Sequence, residues 1–535
     1  MSEPRLRNAE CGRQVSKKKL EAYRMVKVMS WMSAVVGLGL TMVGGRIYAA
    51  DIYVDVFGDE GVQDGTQEKP YVTIQSGVEA ASAGDVVWVK SGEGRDYAIV
   101  DDAGAVRIGE EKSGLQLRGW GEEKALISCT NKYEYTKGDD GVINWINKTV
   151  SPLTVEAPNV VLKDLRMVYT DNSMTAGTWA ETGSGGGTNY VAYVQLTETA
   201  IGSTIRDCTV EALERHSGYG AGTRTGIINV KATGVCFEEN EFFGCYFVVG
   251  SRCDVSFVGN YLTNTTELVA NTVPSSWQWD YKINVTVVSN VFVNNGTGCL
   301  QGSNQGIGTL KLAYNIFYND ETAAGRSLLT PWQQSIQELD CHHNTIIGWK
   351  YFWVYYNYWG YHQVKIYDNV IWLEEEGALL QDWQLWDNDQ PTKGSNFMDA
   401  EGRWIWQSVN KESLAVGTFT EESSFIRNNV VREGVPLYAD PYHGQTKYGE
   451  NLFDADWAYT CLTGRTTVVG NVYLSEAPVF VSLEVGNENF MKAKQNKNRK
   501  WADKKYAWGG VDGTAELFIG AKPIIQDTAL VIRVQ

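Results

Sequence analysis

The chain has 535 residues, with 47 Lys and Arg against 64 Asp and Glu, 55 Gly, 11 Pro, 19 Trp and 28 Tyr. A single ordinary core does not grow to that length, so either several domains or one elongated repeat array is required, and the Gly-rich, aromatic-rich, Pro-poor usage favours short strands and turns over helices. A net charge of −17 leaves no broad basic face to neutralise phosphates, which excludes nucleic acid as a partner.

Residues 1–50 read as a signal peptide. Basic Lys17, Lys18, Lys19, Arg24 and Lys27 precede the apolar run Met29–Val43, and Ala49 and Ala50 supply small residues for cleavage before Asp51. The alternative is a membrane anchor, for which the run is short against a span of ~20 residues. No later segment could span a bilayer, so a secreted, periplasmic or cell-surface protein without membrane contact is expected after cleavage. Removal of this segment takes away nine Lys/Arg and three Asp/Glu and leaves 38 against 61. An acidic polysaccharide can then bind only where cations gather locally. Eight cysteines remain, without a C-x-x-C pair or zinc-like spacing, and buried free thiols are the expectation.

At the start of the mature chain Thr73 can cap a short helix with Ile74, Val78 and Ala81 on its apolar face. Gly84 ends it and Val86–Val89 follows as a strand; such a helix would cover the open end of a solenoid core. Further on, residues 168–188 form a Gly/Thr-rich loop.

From there a motif recurs, apolar-x-apolar-x-x-Asn-x-apolar, with its asparagines at Asn240, Asn260, Asn290, Asn315, Asn344 and Asn369. Relatives stand at Asn429 and Asn471, and Asp164 and Asp207 read as Asp equivalents. The spacings of 20, 30, 25, 29 and 25 residues indicate a solenoid whose coils bury their apolar faces only against neighbours. Residues five and three before each Asn alternate as a strand facing inward, and the Asn marks a turn whose amide can bond to the next coil ~4.8 Å away. Leucine-rich repeats and β-propellers do not fit these variable periods. An insertion is expected over 372–422, the solenoid is expected to span 51–475, and 476–535 is expected to be a C-terminal cap or tail, with the run Lys492–Lys505 on its solvated surface.

The segment KPYVTIQSGVEAASAGDVVWVKSG and the asparagine column resemble the pectate-lyase-like superfamily of right-handed parallel β-helix proteins, over roughly residues 51–475. That resemblance implies an all-β, right-handed parallel β-helix with an N-terminal capping helix and an asparagine ladder. It also implies three strands per coil, with the binding groove on the strand two before the next apolar-Asn strand and on the turn preceding it. By position this selects GIINVK (226–231), SWQWDY (276–281), CLQGS (299–303), LLTPWQ (328–333) and FWVYYNYW (352–359).

On those strands Trp277, Trp279, Trp332, Trp353 and Tyr355 could stack on sugar rings, although alternate residues should point into the core. Arg224, Lys231, Arg326 and Lys350 supply cations, Asp280 a carboxylate, and His216 a further polar contact from the loop before Arg224. A lyase needs cations to neutralise a uronate carboxylate and a base to take the C5 proton, and Arg224, Lys231, Asp280 and Arg326 are the catalytic candidates. A glycoside hydrolase would need two carboxyl groups ~5–9.5 Å apart. Asp280, Asp382, Asp387, Asp389, Asp399 and Glu401 are available without a pair being singled out. No motif demands a cofactor; Asp387–Gln390 could hold calcium but lacks the EF-hand spacing. Lys311, Asp340 and Lys365, with His342 and Tyr367 beside them, read as a charge-paired structural row. Tyr438–Thr446 resembles the Asp-Pro-His signature of alginate-type epimerases, with Tyr442 between Pro441 and His443. The leading expectation is a polysaccharide lyase acting on an acidic chain; a glycoside hydrolase and a non-catalytic glycan-binding or adhesin-type solenoid are the alternatives. No oligomeric state is specified by the pattern.

Overall fold

The computed structural model describes residues 49–131 apart from 60 and 101–103, then 135–137, 143–145, 151–171, 192–212, 227–250, 252–263, 267–270, 283–295, 307–320, 325–329, 336–355, 363–382, 425–440, 445–447 and 467–478, with 480, 482–484, 490 and 491. The expected signal peptide and the run Lys492–Lys505 lie outside them, apart from Ala49 and Ala50. Among the described residues no helix is long and apolar enough to cross a membrane.

Each coil contributes one strand to each of three sheets. Val235–Glu238 lies in the first sheet, Glu241–Phe243 in the second and Tyr246–Val249 in the third; Asp254–Val258 then returns to the first sheet one strand further along. Repetition of this path builds a right-handed parallel β-helix, the hand that parallel crossover connections adopt. Among the described residues thirteen strands stack in the first sheet, from Asp51–Val54 to Thr467–Val469, and eleven in the second, from Ala125–Asn131 to Val472–Leu474. The third sheet is described in two runs, six strands ending at Glu267–Ala270 and five beginning at Gly325–Leu329.

Strand alternation fills the bore. Phe237, Phe257, Val287, Leu312, Cys341, Ile366 and Ile426 stand in register in the first sheet. Phe242, Leu262, Phe292, Phe317, Ile346 and Ile371 do so in the second, and all of these are buried. Register turns sequence repetition into side-chain stacks: Phe237 lies on Phe257 at 4.9 Å and Phe292 on Phe317 at 4.6 Å between ring centroids. A seven-residue helix, Ile74–Ala80, closes one end; Thr73 Oγ1 accepts from the Ser76 N–H at 3.1 Å, and Ile74 and Val78 are buried against the first strands. Gly77 permits that approach, because a Cβ there would meet Val54 Cγ2 at 2.6 Å.

The corner from first to second sheet is two residues long in every coil from Thr204–Arg206 onward. The residue before each asparagine is left-handed, at Glu239, Gly259, Ser289, Tyr314, His343, Asp368, Asn428 and Gly470, with φ of 54–67° or, at Gly470, 71°. The asparagine itself is buried in all but the last of these corners, where Asn471 is half-buried: Asn315 Nδ2 donates to Asn344 Oδ1 at 2.9 Å and to the Val287 carbonyl at 2.8 Å, while the Asn315 N–H donates to the same Oδ1. Equivalent bonds run from Asn240 through Asn260, Asn290, Asn315, Asn344, Asn369 and Asn429 to Asn471.

Two expectations shift by one position. Asp164 and Asp207 are the left-handed residues of their corners, with φ of 56° and 53°, and are followed by Leu165 and Cys208 in the column position. The Cys208 N–H donates to Asn240 Oδ1 at 2.9 Å, so a thiol side chain takes the place in the column where an amide was expected. Asp tolerates the left-handed region through local hydrogen bonding, which is why it sits one residue early.

Of the expected insertion over 372–422, Trp372 ends a second-sheet strand and Ala378–Asp382 pairs with Trp349–Tyr355 in the third sheet, while 383–424 lies outside the described residues. Val168–Asp171, expected as loop, likewise completes the strand Leu165–Asp171. Beyond Ser475, Phe480, Phe490 and Met491 pack on the outer face of the second sheet with Val291, Val293 and Ile316. Cys129, Cys208, Cys236 and Cys341 are free thiols, and burial pushes Cys208 up to about 12.

Candidate functional site

A solenoid offers two kinds of surface, sheet faces of fixed register and corners of variable length. Here the variation is confined. The stretches 172–191, 213–226, 271–282 and 383–424, which lie outside the described residues, each adjoin a third-sheet strand in sequence, whereas from Thr204–Arg206 onward the first-to-second corner stays at two residues. Rigid strands framed by long loops are where binding and catalytic groups are usually displayed.

Along the outward face of the third sheet Arg107, Thr154, Gln195 and Asn229 stand in register as a polar row. Lys231 follows the strand Ile227–Val230 and is exposed, its N–H tied to the Leu196 carbonyl at 2.8 Å. Arg326 lies within Gly325–Leu329, and Lys350, Trp353 and Tyr355 within Trp349–Tyr355, two adjacent strands of this sheet. Lys350 is engaged at the surface, 3.7 Å from Glu376 and 5.6 Å from the centroid of Tyr351.

Trp353 is a correction: it is fully buried in the core and cannot stack on a sugar. Its neighbour Phe352 is equally buried, so this strand is covered on both faces and the alternation rule does not say which ring points outward. Arg224, Asp280, His216, Trp277, Trp279 and Trp332 lie outside the described residues, as do Asp387–Gln390 and Pro441–Gly444.

A second group of chemically active side chains assembles on the outer face of the first sheet. Lys311, Asp340 and Lys365 stand in register, and so do His342, Tyr367 and Arg427. The left-handed corner adds Tyr314, His343 and Asp368. His342 Nδ1 lies 3.0 Å from His343 Nδ1, and His343 Nε2 lies 3.9 Å from Asp368 Oδ2. Tyr314 stacks on His343 and Tyr367 on His342, each at 5.0 Å, and Arg427 lies over both Tyr367 and Phe425.

Burial, then the neighbouring His342, lowers His343 to about 4, and burial lowers His342 as well. Burial raises Asp368 to about 6 against a hydrogen bond from Asn428 and the charge of Arg427. Burial and the Asp340 carboxylate raise Tyr367. At neutral pH the pair is therefore two neutral imidazoles beside a protonated phenol, with Asp368 mostly ionised. Sequence reasoning found the Lys311, Asp340, Lys365, His342 and Tyr367 stripe but missed His343, Asp368, Tyr314 and Arg427. The available signal was a bulky or titratable residue immediately before the column asparagine in consecutive coils, as in HHN and YDN.

No family model and no curated protein matches the chain. Among solved structures it is similar to a GH136 lacto-N-biosidase from Eubacterium ramulus, with 12% identity over 86% of this chain and 73% of that one and a TM-score of 0.35. A rhamnogalacturonan lyase shares 12% identity over 85% and 98% at a TM-score of 0.35. Pectin methylesterase PemA from Erwinia chrysanthemi shares 10% over 86% and 96% at 0.23. Identities and scores this low transfer no catalytic residue to this chain.

Proposed function

We propose that the protein is an exported carbohydrate-active enzyme, a lyase that cleaves an acidic polysaccharide lying along the third sheet. One observation supports this reading: the stretches named above each adjoin a strand of that sheet in sequence, and Lys231, Arg326 and Lys350 fall on its strands or at their ends. Against a mature chain with 38 cations and 61 anions, cations on that sheet would supply a local field suited to a polyanionic chain.

In this mechanism Arg224, Lys231 and Arg326 hold carboxylates at successive points along the bound chain, Lys231 and Arg326 being four coils apart, and neutralisation of the uronate at the cleaved bond acidifies its proton at C5. A base takes that proton, the C5 electron pair forms the C4–C5 double bond, and the C4–O bond breaks with its electrons leaving on the glycosidic oxygen, which is then protonated. Trp277, Trp279 and Trp332 stack on flanking sugars, with His216 and Lys350 as polar contacts.

Incubation of the purified mature protein with uronate-containing and neutral polysaccharides tests this, with unsaturated-uronate absorbance and new reducing ends recorded together. Both signals should rise, and Lys231→Ala or Arg326→Ala should lower kcat/KM by about 10²-fold, as for loss of one group stabilising developing charge. Reducing ends without absorbance would replace the lyase by a hydrolase, and silence on every glycan would leave a binding protein.

A further inference from the structure

His342 and His343 are consecutive, yet the left-handed backbone at His343, with φ of 54°, brings the two Nδ1 atoms to 3.0 Å from each other. A neutral imidazole carries one N–H and one lone pair. At that separation either one Nδ1–H points at the other nitrogen, or both lone pairs point at a shared electrophile.

The surroundings favour shared lone pairs. Asp368, with its side chain 3% exposed, places Oδ2 3.9 Å from His343 Nε2, and its Oδ1 has no hydrogen-bond partner. At 3.9 Å the carboxylate is beyond hydrogen-bond reach, but its charge still favours the tautomer protonated on Nε2 and leaves Nδ1 as a lone pair, as a carboxylate behind a metal-ligating histidine does at closer range. Asp340 Oδ1, two residues before His342 along the strand, is also buried without a partner. Tyr314 and Tyr367 clamp the two rings by stacking, so little ordering is left for an incoming ion to impose.

Distance then selects the ion. Two nitrogens 3.0 Å apart, each about 2.05 Å from a metal, subtend about 94°, whereas a tetrahedral angle at that bond length needs about 3.3 Å. An angle near 90° suits square-planar or tetragonal copper(II) and nickel(II) better than tetrahedral zinc, and copper(II) binds nitrogen sites more tightly than nickel(II). We propose that His342 Nδ1 and His343 Nδ1 form a bidentate chelate for a tetragonal divalent ion, copper(II) before nickel(II), on the outer face of the first sheet. Water completes the coordination, because among the described residues no three His, Cys, Asp or Glu side chains converge as a metal site. This site is separate from the third sheet and does not depend on the lyase reading.

The test is titration of the untagged protein with copper(II), followed by calorimetry and electron paramagnetic resonance. One equivalent should bind with a tetragonal spectrum split by two nitrogens, and His342→Gln or His343→Gln should each weaken binding at least 30-fold and remove one nitrogen from the pattern. Asp368→Asn should weaken binding by about 10–100-fold and leave both nitrogens in place, as for a partner behind a ligand. A wild-type spectrum without two-nitrogen splitting, or equal binding by the double His342→Gln/His343→Gln variant, would overturn the proposal. The wild-type spectrum reads the ligands directly, so the test stands even where a variant folds poorly.

Discussion

The two borders of this solenoid behave in opposite ways. At the first-to-second corner length is fixed at two residues from Thr204–Arg206 onward, the column amides bond to one another and to backbone carbonyls, and buried neutral groups recur from coil to coil. At the borders of the third sheet length varies from coil to coil, and Lys231, Arg326 and Lys350 stand on its strands or at their ends. A buried amide without its partner costs about 1–3 kcal/mol, so the corner cannot take an insertion without breaking bonds on both sides. Among the described residues the other border shows no such column, so length can vary there without breaking one. Specialisation follows from that asymmetry: one side of each coil holds the stack in register and the other is left open to chemistry.

The largest effect that separates the two roles is expected from tryptophan. Trp353→Ala removes a fully buried ring and should cost about 3–5 kcal/mol in denaturant melts. Trp277→Ala should change stability by less than about 0.5 kcal/mol while weakening glycan binding. Equal stability losses would show that the ring at Trp277 is core as well. Next in size is Asn315→Ala in mid-column, which strips the acceptor from the Asn290 N–H and Nδ2 and should cost about 3 kcal/mol. An unchanged melting temperature would mean that water replaces the column without penalty.

These residues also show what the sequence made legible. The corner was readable because its buried amides repeat at one offset, and repetition survives variable loop lengths. Asp164 and Asp207 were misplaced by one residue because Asp fits both a turn and a left-handed position, a distinction visible only in φ. Trp353 was misread because its strand is buried on both faces, which removes the polar half of the alternation. The pairing of His343 with Asp368 was not readable at all: they are 25 residues apart, and only the register of Cys341 on Ile366 and His342 on Tyr367 makes their corners neighbours. The third-sheet candidates were readable as strands, since Gly325–Leu329 and Trp349–Tyr355 pair there, but not as a constellation, because loop geometry has no period.

A smaller effect distinguishes charged from neutral ways of fastening the coil. The first strand ends at Asp55 in place of an asparagine, and Asp55 is held by Arg95 at 2.8 Å and Lys90 at 3.0 Å. Burial works against its charge, but hydrogen bonds from Arg95, the Phe57 N–H and Lys90 outweigh it and lower the carboxyl to about 2. A folded-state pKa below the unfolded value of about 3.9 gives stability that is complete above that value and lost as pH falls through 2. Acid titration should therefore remove about 1–2 kcal/mol between pH 4 and pH 2. In Asp55→Asn this loss should be absent, and a wild-type profile identical to that variant would show that the neutral amide column alone carries the fold.

The smallest expected effect lies on the open border. Lys350 and Glu376 are 3.7 Å apart, with Glu376 side chain 89% exposed and Lys350 33% exposed. Solvent and salt screen such a pair, so Glu376→Gln should change stability by about 0.5 kcal/mol or less. Its consequence is for binding. Released from its partner, the Lys350 ammonium gains freedom to meet a uronate carboxylate, so the variant should bind an acidic glycan more tightly at low salt, with the gain fading as salt rises. A stability loss well above that range, with no change in glycan affinity, would make Lys350 a fastening residue of the third sheet and move the border between the two regions outward by one strand end.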